Sequence, residues 1–346
     1  MTMIFDGHND ALLRLWREGK HNGDTTGKSF ISGNIDAQLD LPKAHKGQMS
    51  GGFFAMFTPA PDIINPSGGN ILNLDPVDHD YARDATHAMF GIAEHLATNY
   101  PDQIRICLTA DDIRAAISNR QMAMVMHIEG AEAICPDLTN LDAFYDRGLR
   151  SIGPVWSRPN DFAYGVPFAY PSSPDIGNGL TDAGRALIAA CNQKKIMIDL
   201  SHMNEAGFWD IAAISDQPLV ATHSNAHSIC PASRNLTNRQ LDAIAESGGL
   251  VGVNFAVGFL RPDGEKNPDM PIEVIIRHLD HLLSHLGEGG VALGSDFDGA
   301  EMAHALNTAA HLPRLVAAMQ KAGFGETLIT RICHQNWIDM IEATIG

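Results

Sequence analysis

Eight short runs of apolar and β-branched residues recur along the chain, and this repetition most limits what it can fold into. Each run is bounded by glycine, proline or polar residues, as buried strands usually are. Amphipathic stretches with helical periodicity lie between several of them, among them 181–195, 237–248 and 271–287. The predicted strands are MIFDGH (3–8), GGFFAMF (51–57), MAMVMHIE (122–129), RSIGPVW (150–156), KIMIDLSH (195–202), PLVATH (218–223), GLVGVNF (249–255) and VALGSD (291–296).

The runs are continuously apolar rather than alternating, which is typical of parallel strands covered by helices. Eight such strands are the number that closes a (β/α)₈ barrel of the TIM type, and a chain of 346 residues can form one as a single domain. We therefore predict an α/β fold, one (β/α)₈ barrel over residues 1–346, with long βα-loops at 58–75 and 157–179. A doubly wound open sheet has the same strand pattern and is the alternative.

Side chains that can bind a metal stand at the carboxyl ends of five predicted strands. In a closed barrel these ends face a common centre, where barrel enzymes have their active sites. Three imidazoles and three carboxylates suit zinc or a related divalent ion. A single catalytic zinc needs about three protein ligands, so this larger set indicates two ions, with a carboxylate between them. The residues are His8, Asp10, Glu129, His202, His223 and Asp296.

Each of these residues taken alone has an ordinary structural explanation. A histidine at a strand end is often only hydrogen-bonded, and an aspartate there can cap the next helix. Glu129, which precedes Gly130, could be a solvated turn residue. Only their repeated placement at one rim of a barrel favours a metal site.

Composition and charge argue against several kinds of partner and indicate the compartment. A formal net charge of −17 argues against nucleic acid or an anionic membrane surface as the main partner. No run of 18 apolar residues predicts a membrane span. The five cysteines are an odd, scattered set, and the N-terminal MTMIFDGHND has no signal-peptide pattern, so we expect a cytoplasmic protein.

The motifs HND, IEG, LSH, THSN, SRN and SDFDG, in this order, resemble the membrane dipeptidase (renal dipeptidase) family of the amidohydrolase superfamily. The resemblance extends from residue 5 to about residue 300. It implies a barrel of the metallo-dependent hydrolase type that holds two zinc ions. His8 and Asp10 would bind one ion, His202 and His223 the other, and Glu129 would bridge them. A hydroxide between the ions would attack the peptide carbonyl.

The same resemblance assigns roles around the substrate. Asp296 resembles the acid/base residue of the family, and Arg234 the arginine that binds the free carboxylate of the substrate. Two positions depart from the renal-type pattern. Trp156 stands where those enzymes have a histidine near the end of strand four, and Phe259 stands where they have a tyrosine. We expect both to contact the substrate.

The predicted function is that of a metal-dependent dipeptidase whose substrates include L-Xaa-D-Xaa dipeptides. Because fold does not fix function, two alternatives stay open. One is an N-acyl-(D-)amino-acid deacylase or lactamase on the same scaffold, which the tryptophan at position 156 keeps open. The other is a non-catalytic metal-binding barrel. The expected partner is a small dipeptide, and the resemblance adds a homodimer.

Other polar residues are interpreted as structural. His127 shares the inward face of its strand with Glu129 and is expected to be a packed or hydrogen-bonded core residue. Asp6 is ambiguous, because it could be a further ligand or could support the ligands from deeper in the barrel. The three histidines of the predicted helix at 271–287 are assigned to a solvated face: His278, His281 and His285.

Overall fold

A computed structural model describes residues 2–61 and 74–346. Eight of the strands found there overlap the eight predicted strands in the same order. The ninth strand, β3, was not predicted because it has only three residues. It lies outside the ring of barrel strands and pairs only with the first three residues of β4. The strands are β1 (Ile4–Asn9), β2 (Met49–Phe57), β3 (Ile104–Ile106), β4 (Met122–Glu129), β5 (Leu149–Gly153), β6 (Met197–Ile198), β7 (Val220–Ala221), β8 (Leu250–Val253) and β9 (Val291–Leu293).

All strand pairs are parallel, and the strands close into a ring. One sheet runs β1-β2-β4-β5-β6 and the other β7-β8-β9. At the first seam Asp199, just beyond β6, pairs with Val220 of β7. At the second, Asn9 of β1 pairs with Phe297 beyond β9. The prediction of a (β/α)₈ barrel is therefore confirmed, and the open sheet was the wrong alternative.

The helices begin and end at local sequence signals. Thr181 caps one helix through Gly184, and Thr237 forms a capping box with Gln240 at another. None of the helices among the described residues is both long and apolar enough to cross a membrane. The helices are α1 (Ala11–Asn22), α2 (Lys28–Ser32), α3 (Leu41–Gly47), α4 (His79–Asn99), α5 (Ala110–Ser118), α6 (Leu141–Asp146), α7 (Asp182–Lys194), α8 (Glu205–Ile214), α9 (Asn238–Glu246), α10 (Val257–Leu260), α11 (Glu273–Leu286), α12 (Leu312–Lys321), α13 (Glu326–Thr330) and α14 (Asn336–Thr344).

Alternation along the strands separates two apolar cores. In β4, Met126 and Ile128 belong to the layer between strands and helices, whereas Val125 belongs to the barrel interior. Trp337 of α14 closes that interior, since its ring lies 5.3 Å from the ring of Phe53 and its Nε1 donates to the Leu293 carbonyl at 2.8 Å. Inward-facing side chains at the carboxyl ends of the strands therefore lie at the mouth of the barrel opposite to Trp337.

Five strands, β5 to β9, end two to four residues earlier than the sequence predicted. β6 ends at Ile198 and β9 at Leu293, before His202 and Asp296 respectively. The backbone φ of His202 is +65° and that of Asp296 is +64°. An extended strand cannot contain such left-handed residues, so both side chains are presented by turns beyond the strand ends. Strained backbone of this kind concentrates at functional sites.

Candidate metal centre and active site

Glu129, the last residue of β4, lies between two groups of potential ligand atoms. Its Oε2 is 3.5 Å from His8 Nε2, which is also 3.5 Å from Asp10 Oδ2. Its Oε1 is 3.0 Å from His202 Nε2 and 3.4 Å from His223 Nε2. All five side chains are buried. The structure thus brings together the five residues that the sequence named as ligands, and each carboxylate oxygen faces its own pair.

Three polar atoms of this cluster lack, among the described residues, the partners that buried polar atoms normally have. Both ring nitrogens of His8 and Oδ1 of Asp10 are buried without a hydrogen bond. The Nε2 atoms of His202 and His223 lie only 3.1 Å apart. Two neutral imidazoles with their lone pairs facing each other repel unless a cation lies between them. Nitrogen and carboxylate donors in this arrangement fit a metal centre of the zinc type.

Neighbouring side chains fix the orientation of the two imidazoles. His202 Nδ1 lies 2.7 Å from the Ser157 hydroxyl oxygen. His223 Nδ1 lies 2.8 Å from the Thr222 hydroxyl, which itself donates to Asp199 at 2.5 Å. A proton on each Nδ1 satisfies these contacts and leaves each Nε2 as a lone pair directed at Glu129. Such outer contacts are what hold a ligating histidine in its metal-binding tautomer.

The electrostatics of His202 and Glu129 favour the protonation states that bind metal, whereas the charges of Glu129 and Asp10, against the effect of burial, raise the pKa of His8 well above its usual value. Burial lowers the pKa of His202 to about 4, which leaves its ring neutral at pH 7. Burial opposes ionisation of Glu129, but His8 and the other imidazoles hold its pKa well below the usual range. Burial also raises the pKa of Asp6 to about 6 even though Ser295 donates to it. A neutral imidazole beside an ionised carboxylate is the combination that a divalent cation needs.

Asp296 lies beside the cluster and faces the cavity. Asn254 donates to its Oδ2 at 2.9 Å, and its own amide donates to the His8 carbonyl at 2.9 Å. Burial, with a contribution from the charge of Asp10, raises the pKa of Asp296 to about 7. A Cβ at Gly299 would lie 2.1 Å from Asp10 Oδ2 and 2.6 Å from Asp296 Oδ1. The position of both carboxylates therefore depends on this glycine, and Asp296 can give or accept a proton near neutral pH.

A cavity of about 660 Å³ opens onto this cluster. One wall is aromatic, because Phe168 stacks on Phe259 with ring centroids 5.4 Å apart and meets Trp156 edge-on at 5.4 Å. Trp156 lies beyond β5, which ends at Gly153, and its ring is 5.8 Å from that of His202. Both aromatic residues that the sequence predicted to contact substrate thus line the cavity.

The long loop at 157–179 contributes to this wall only in part. Its Phe168 faces the cavity, whereas Tyr164 and Tyr170 are 38% and 40% exposed and lie outside the lining. The other predicted long loop, 58–75, includes residues 62–73, which lie outside the described part of the chain.

Arg234 is a buried cation next to the cluster. Its Nη1 donates to the Ser224 hydroxyl at 2.9 Å and its Nη2 to the His223 carbonyl at 2.8 Å, while its Nε has no partner. The guanidinium lies 5.9 Å from the ring centroid of Phe259. Burial lowers its pKa to about 10, so it stays charged at neutral pH. Arg234 is not among the residues that line the cavity, so its contact with an anionic group of a ligand stays a prediction.

Of two further histidines, one is a core residue as predicted and the other is buried against the prediction. His127 is buried and hydrogen-bonded to Ser151 at 2.9 Å, as expected of a core residue. His278 was wrongly assigned to a solvated face. It is fully buried, accepts from the amide of Ala226 at 3.2 Å and donates to the Leu260 carbonyl at 2.9 Å. It therefore joins α11 to the segment that follows β7.

Four supporting residues were not singled out from the sequence. Each adjoins or lies within a segment that holds a predicted site residue, and this adjacency was the available signal. Their importance appears only when the fold shows which atoms they contact. They are Ser157 in WSRP, Asp199 in IDLSH, Thr222 in THSN and Gly299 in SDFDG.

Comparison with known proteins finds a family and several relatives that share the sequence and fold of this chain. The model of the membrane dipeptidase family (peptidase family M19) matches residues 1–344. The solved structure of dipeptidase AC, a metallopeptidase of family M19, superimposes with a TM-score of 0.93 at 46% identity, covering 100% of this chain and 99% of that one. A metallopeptidase from Rhodobacter sphaeroides, liganded with a phosphinate mimic of the dipeptide L-Ala-D-Ala, gives 0.93 at 45% identity, covering 99% and 100%. Dipeptidase tcpJ of Claviceps purpurea (strain 20.1) is 25% identical over 344 residues, 99% of this chain and 77% of that protein.

Proposed function

The chain belongs to the membrane dipeptidase family of metallopeptidases, and from that premise we propose that it hydrolyses dipeptides, including L-Xaa-D-Xaa dipeptides, with two zinc ions. The predicted family and the enzyme class of metal-dependent dipeptidase are confirmed. The acceptance of a D-residue is supported by the Rhodobacter relative, whose ligand mimics L-Ala-D-Ala.

The observation that carries the proposal is the position of Glu129 between two sets of ligand atoms. We assign His8 and Asp10 to one ion, His202 and His223 to the other, and Glu129 to both. The unpartnered nitrogens of His8 support this assignment. When bound, such a pair of ions polarises a carbonyl and lowers the pKa of a water molecule, which is the chemistry that amide hydrolysis requires.

Two further residues act on the substrate in this proposal. Asp296 accepts a proton from the water that adds to the peptide carbonyl, and it delivers that proton to the amine as the C–N bond breaks. Its pKa of about 7 suits both transfers. Arg234 binds the C-terminal carboxylate, for which its unpartnered Nε and buried charge are suited. Trp156 and Phe259 form the wall that limits the space beside the ions.

The experiment compares hydrolysis of L-Ala-D-Ala, L-Ala-L-Ala and N-acetyl-D-alanine by zinc-loaded protein, with and without a chelator. We expect both dipeptides to be cleaved and the chelator to abolish cleavage. Hydrolysis of the acetylated amino acid alone would favour the deacylase alternative, which the tryptophan at position 156 keeps in view. Full metal occupancy with no cleavage of any substrate would favour a non-catalytic barrel.

Several features of the wider molecule stay predictions. These are a single domain over residues 1–346, a homodimer and a cytoplasmic location. All five cysteines are free thiols, which supports a reducing compartment. The net charge of −17 supports the absence of a nucleic-acid partner.

A further inference from the structure

Arg17 of α1 is a half-buried cation that faces the substrate cavity, and no described residue forms a hydrogen bond or ion pair with it. Asp10, Leu13 and Arg17 follow one another at helical spacing along the start of α1, and all three line the cavity. Nε of Arg17 is buried without a hydrogen bond. Among the described residues, the guanidinium forms neither a hydrogen bond nor an ion pair with any side chain or carbonyl.

A second arginine on the same helix, Arg14, has hydrogen-bond and ion-pair partners for its guanidinium. Nε of Arg14 donates to Asp298 at 3.0 Å, its Nη2 donates to the Leu39 carbonyl at 3.1 Å, and its Nη1 pairs with Glu18. Burial of an unpaired charge is unfavourable, so a guanidinium left without such partners is best explained by an anion that arrives with the ligand. Burial lowers the pKa of Arg17, opposed by the charge of Asp10, but an arginine remains a cation.

The two cations of the site approach the ligand cluster from different directions. Arg17 follows β1, whereas Arg234 lies in the segment between β7 and α9. In the ring of eight strands, two strands separate β1 from β7 on one side and four on the other. The two guanidinium groups therefore reach the cluster from strands three positions apart in the ring, which leaves Arg17 for the end of the dipeptide that Arg234 does not bind.

The chemistry of that other end identifies the anion. The backbone of the N-terminal residue of a dipeptide ends in an ammonium group, so it offers no negative charge to a guanidinium. Its side chain can do so only if it is a carboxylate. Among the described residues of the lining, Lys266 is the second cation besides Arg17. It is exposed at the rim, and its side chain lies beside Gly258, next to Phe259, whose ring is 5.9 Å from the Arg234 guanidinium.

We propose that Arg17 selects dipeptides with an acidic side chain on the N-terminal residue, so that L-Glu-Xaa and L-Asp-Xaa are preferred substrates. This inference rests on the proposed dipeptidase function and adds a substrate class to it. The planar fork of Arg17 pairs with the side-chain carboxylate while Arg234 holds the C-terminal carboxylate, which fixes the dipeptide at both ends.

The test compares kcat/KM for L-Glu-L-Ala and its neutral isostere L-Gln-L-Ala with zinc-loaded protein. We expect a preference of about tenfold or more for the acidic dipeptide, equivalent to ~1.4 kcal/mol. Arg17→Gln should bring the ratio of the two kcat/KM values to about one. The matched control is Lys20→Gln, which removes a cation from the same helix outside the cavity and should keep the wild-type ratio. Metal content and circular dichroism establish that each variant is folded and loaded.

Three results would overturn the inference while the proposed function stands. They are equal cleavage of L-Glu-L-Ala and L-Gln-L-Ala by the wild type, an unchanged ratio in Arg17→Gln, and an Arg17-dependent preference for L-Ala-L-Glu over L-Ala-L-Gln. In each of them dipeptides are still hydrolysed. Failure of the metal-loaded wild type to cleave any dipeptide, L-Ala-L-Ala included, would overturn the proposed function and this inference together.

Discussion

Gly299 provides the space in which two carboxylates of the site approach each other. Because a methyl group there would lie 2.1 Å from Asp10 Oδ2, Gly299→Ala must displace that side chain or the turn that carries Asp296. We expect kcat/KM for L-Ala-D-Ala to fall about 100-fold, the effect of a misplacement of about 1 Å at a reacting centre. Gly289→Ala is the control, since no atom lies within 4 Å of its added methyl group. Equal activity of the two variants would contradict this reading.

Glu129→Gln tests the bridging carboxylate with almost no change of shape. The amide keeps the size of the side chain but removes the negative charge that faces both ligand pairs. We expect the bound metal, measured by elemental analysis after dialysis, to fall sharply, and hydrolysis to fall with it. Glu301→Gln removes the same charge at the exposed rim of the cavity and should retain its metal. Normal metal content in Glu129→Gln would refute the bridging role.

The sequence could identify residues whose position follows from strand geometry alone. His8, Glu129 and His223 stand at or just beyond strand ends, so counting strands was enough to bring them to one rim. It could not identify Gly299 or Arg17. The first matters because of what a methyl group would touch, and the second because it lacks the partners that Arg14 has. Both properties depend on three-dimensional neighbours.

At the scale of the element, helix α11 was predicted correctly, but the face predicted for one of its histidines was wrong. The helix was predicted at 271–287 and found at Glu273–Leu286. His278 nevertheless lies on the buried stripe with Val274 and Leu282, four residues to either side. That spacing was visible in the sequence, and it indicates a buried position for His278 instead of the solvated face to which it was assigned.

His278 should make stability depend on pH between about 4 and 6.5. Burial lowers its pKa to about 4 in the folded chain, whereas the unfolded imidazole has a pKa of about 6.5. Between these values the unfolded state binds more protons, so the free energy of unfolding falls as the pH falls. The contribution of His278 should be smaller at pH 5 than at pH 7.5 by about 2 kcal/mol.

Urea unfolding of metal-free wild type, His278→Gln and His281→Gln at the two pH values measures this contribution. The His278 variant should be less stable at pH 7.5, because it loses contacts to Ala226 and Leu260, but it should lose less stability on acidification. His281 is partly exposed on the same helix, and burial lowers its pKa as well, so its variant should reduce the dependence on pH less than His278→Gln does. Identical dependence in all three proteins would show that His278 is not the titrating group.

At the scale of the whole molecule, polar contacts reinforce both seams of the barrel. Beyond β6, Asp199 accepts from the amide and hydroxyl of Thr222, and neighbouring imidazoles and these bonds hold its pKa at about 2 in spite of burial. At the other seam, Ser295 donates to Asp6 through its amide and its hydroxyl, each at 2.7 Å. Eight strands were predictable from apolar runs, but these closing contacts have no local pattern, and that of Asp6 with Ser295 joins residues from the two ends of the chain.

The ligand cluster spans the same seams, so metal should stabilise the barrel where the two sheets meet. Glu129 and His8 belong to the first sheet, and His223 follows the first strand of the second. An ion held between them favours the closed ring by about 2.7 kcal/mol at a free concentration of 100 times its Kd. Removal of metal by a chelator should therefore lower the midpoint of thermal unfolding.

Hydrogen exchange can show where that stabilisation acts. Metal removal should speed exchange most at the amides that cross the seams, which are those of Leu200 to the Val220 carbonyl, Asp10 to the Phe297 carbonyl and Asp296 to the His8 carbonyl. The continuous ladder between β2 and β4 is the internal reference, since none of its hydrogen bonds crosses a seam. Equal acceleration there would mean that metal stabilises the chain only globally. Selective acceleration at the seams would mean that the site which cleaves the substrate also holds the barrel closed.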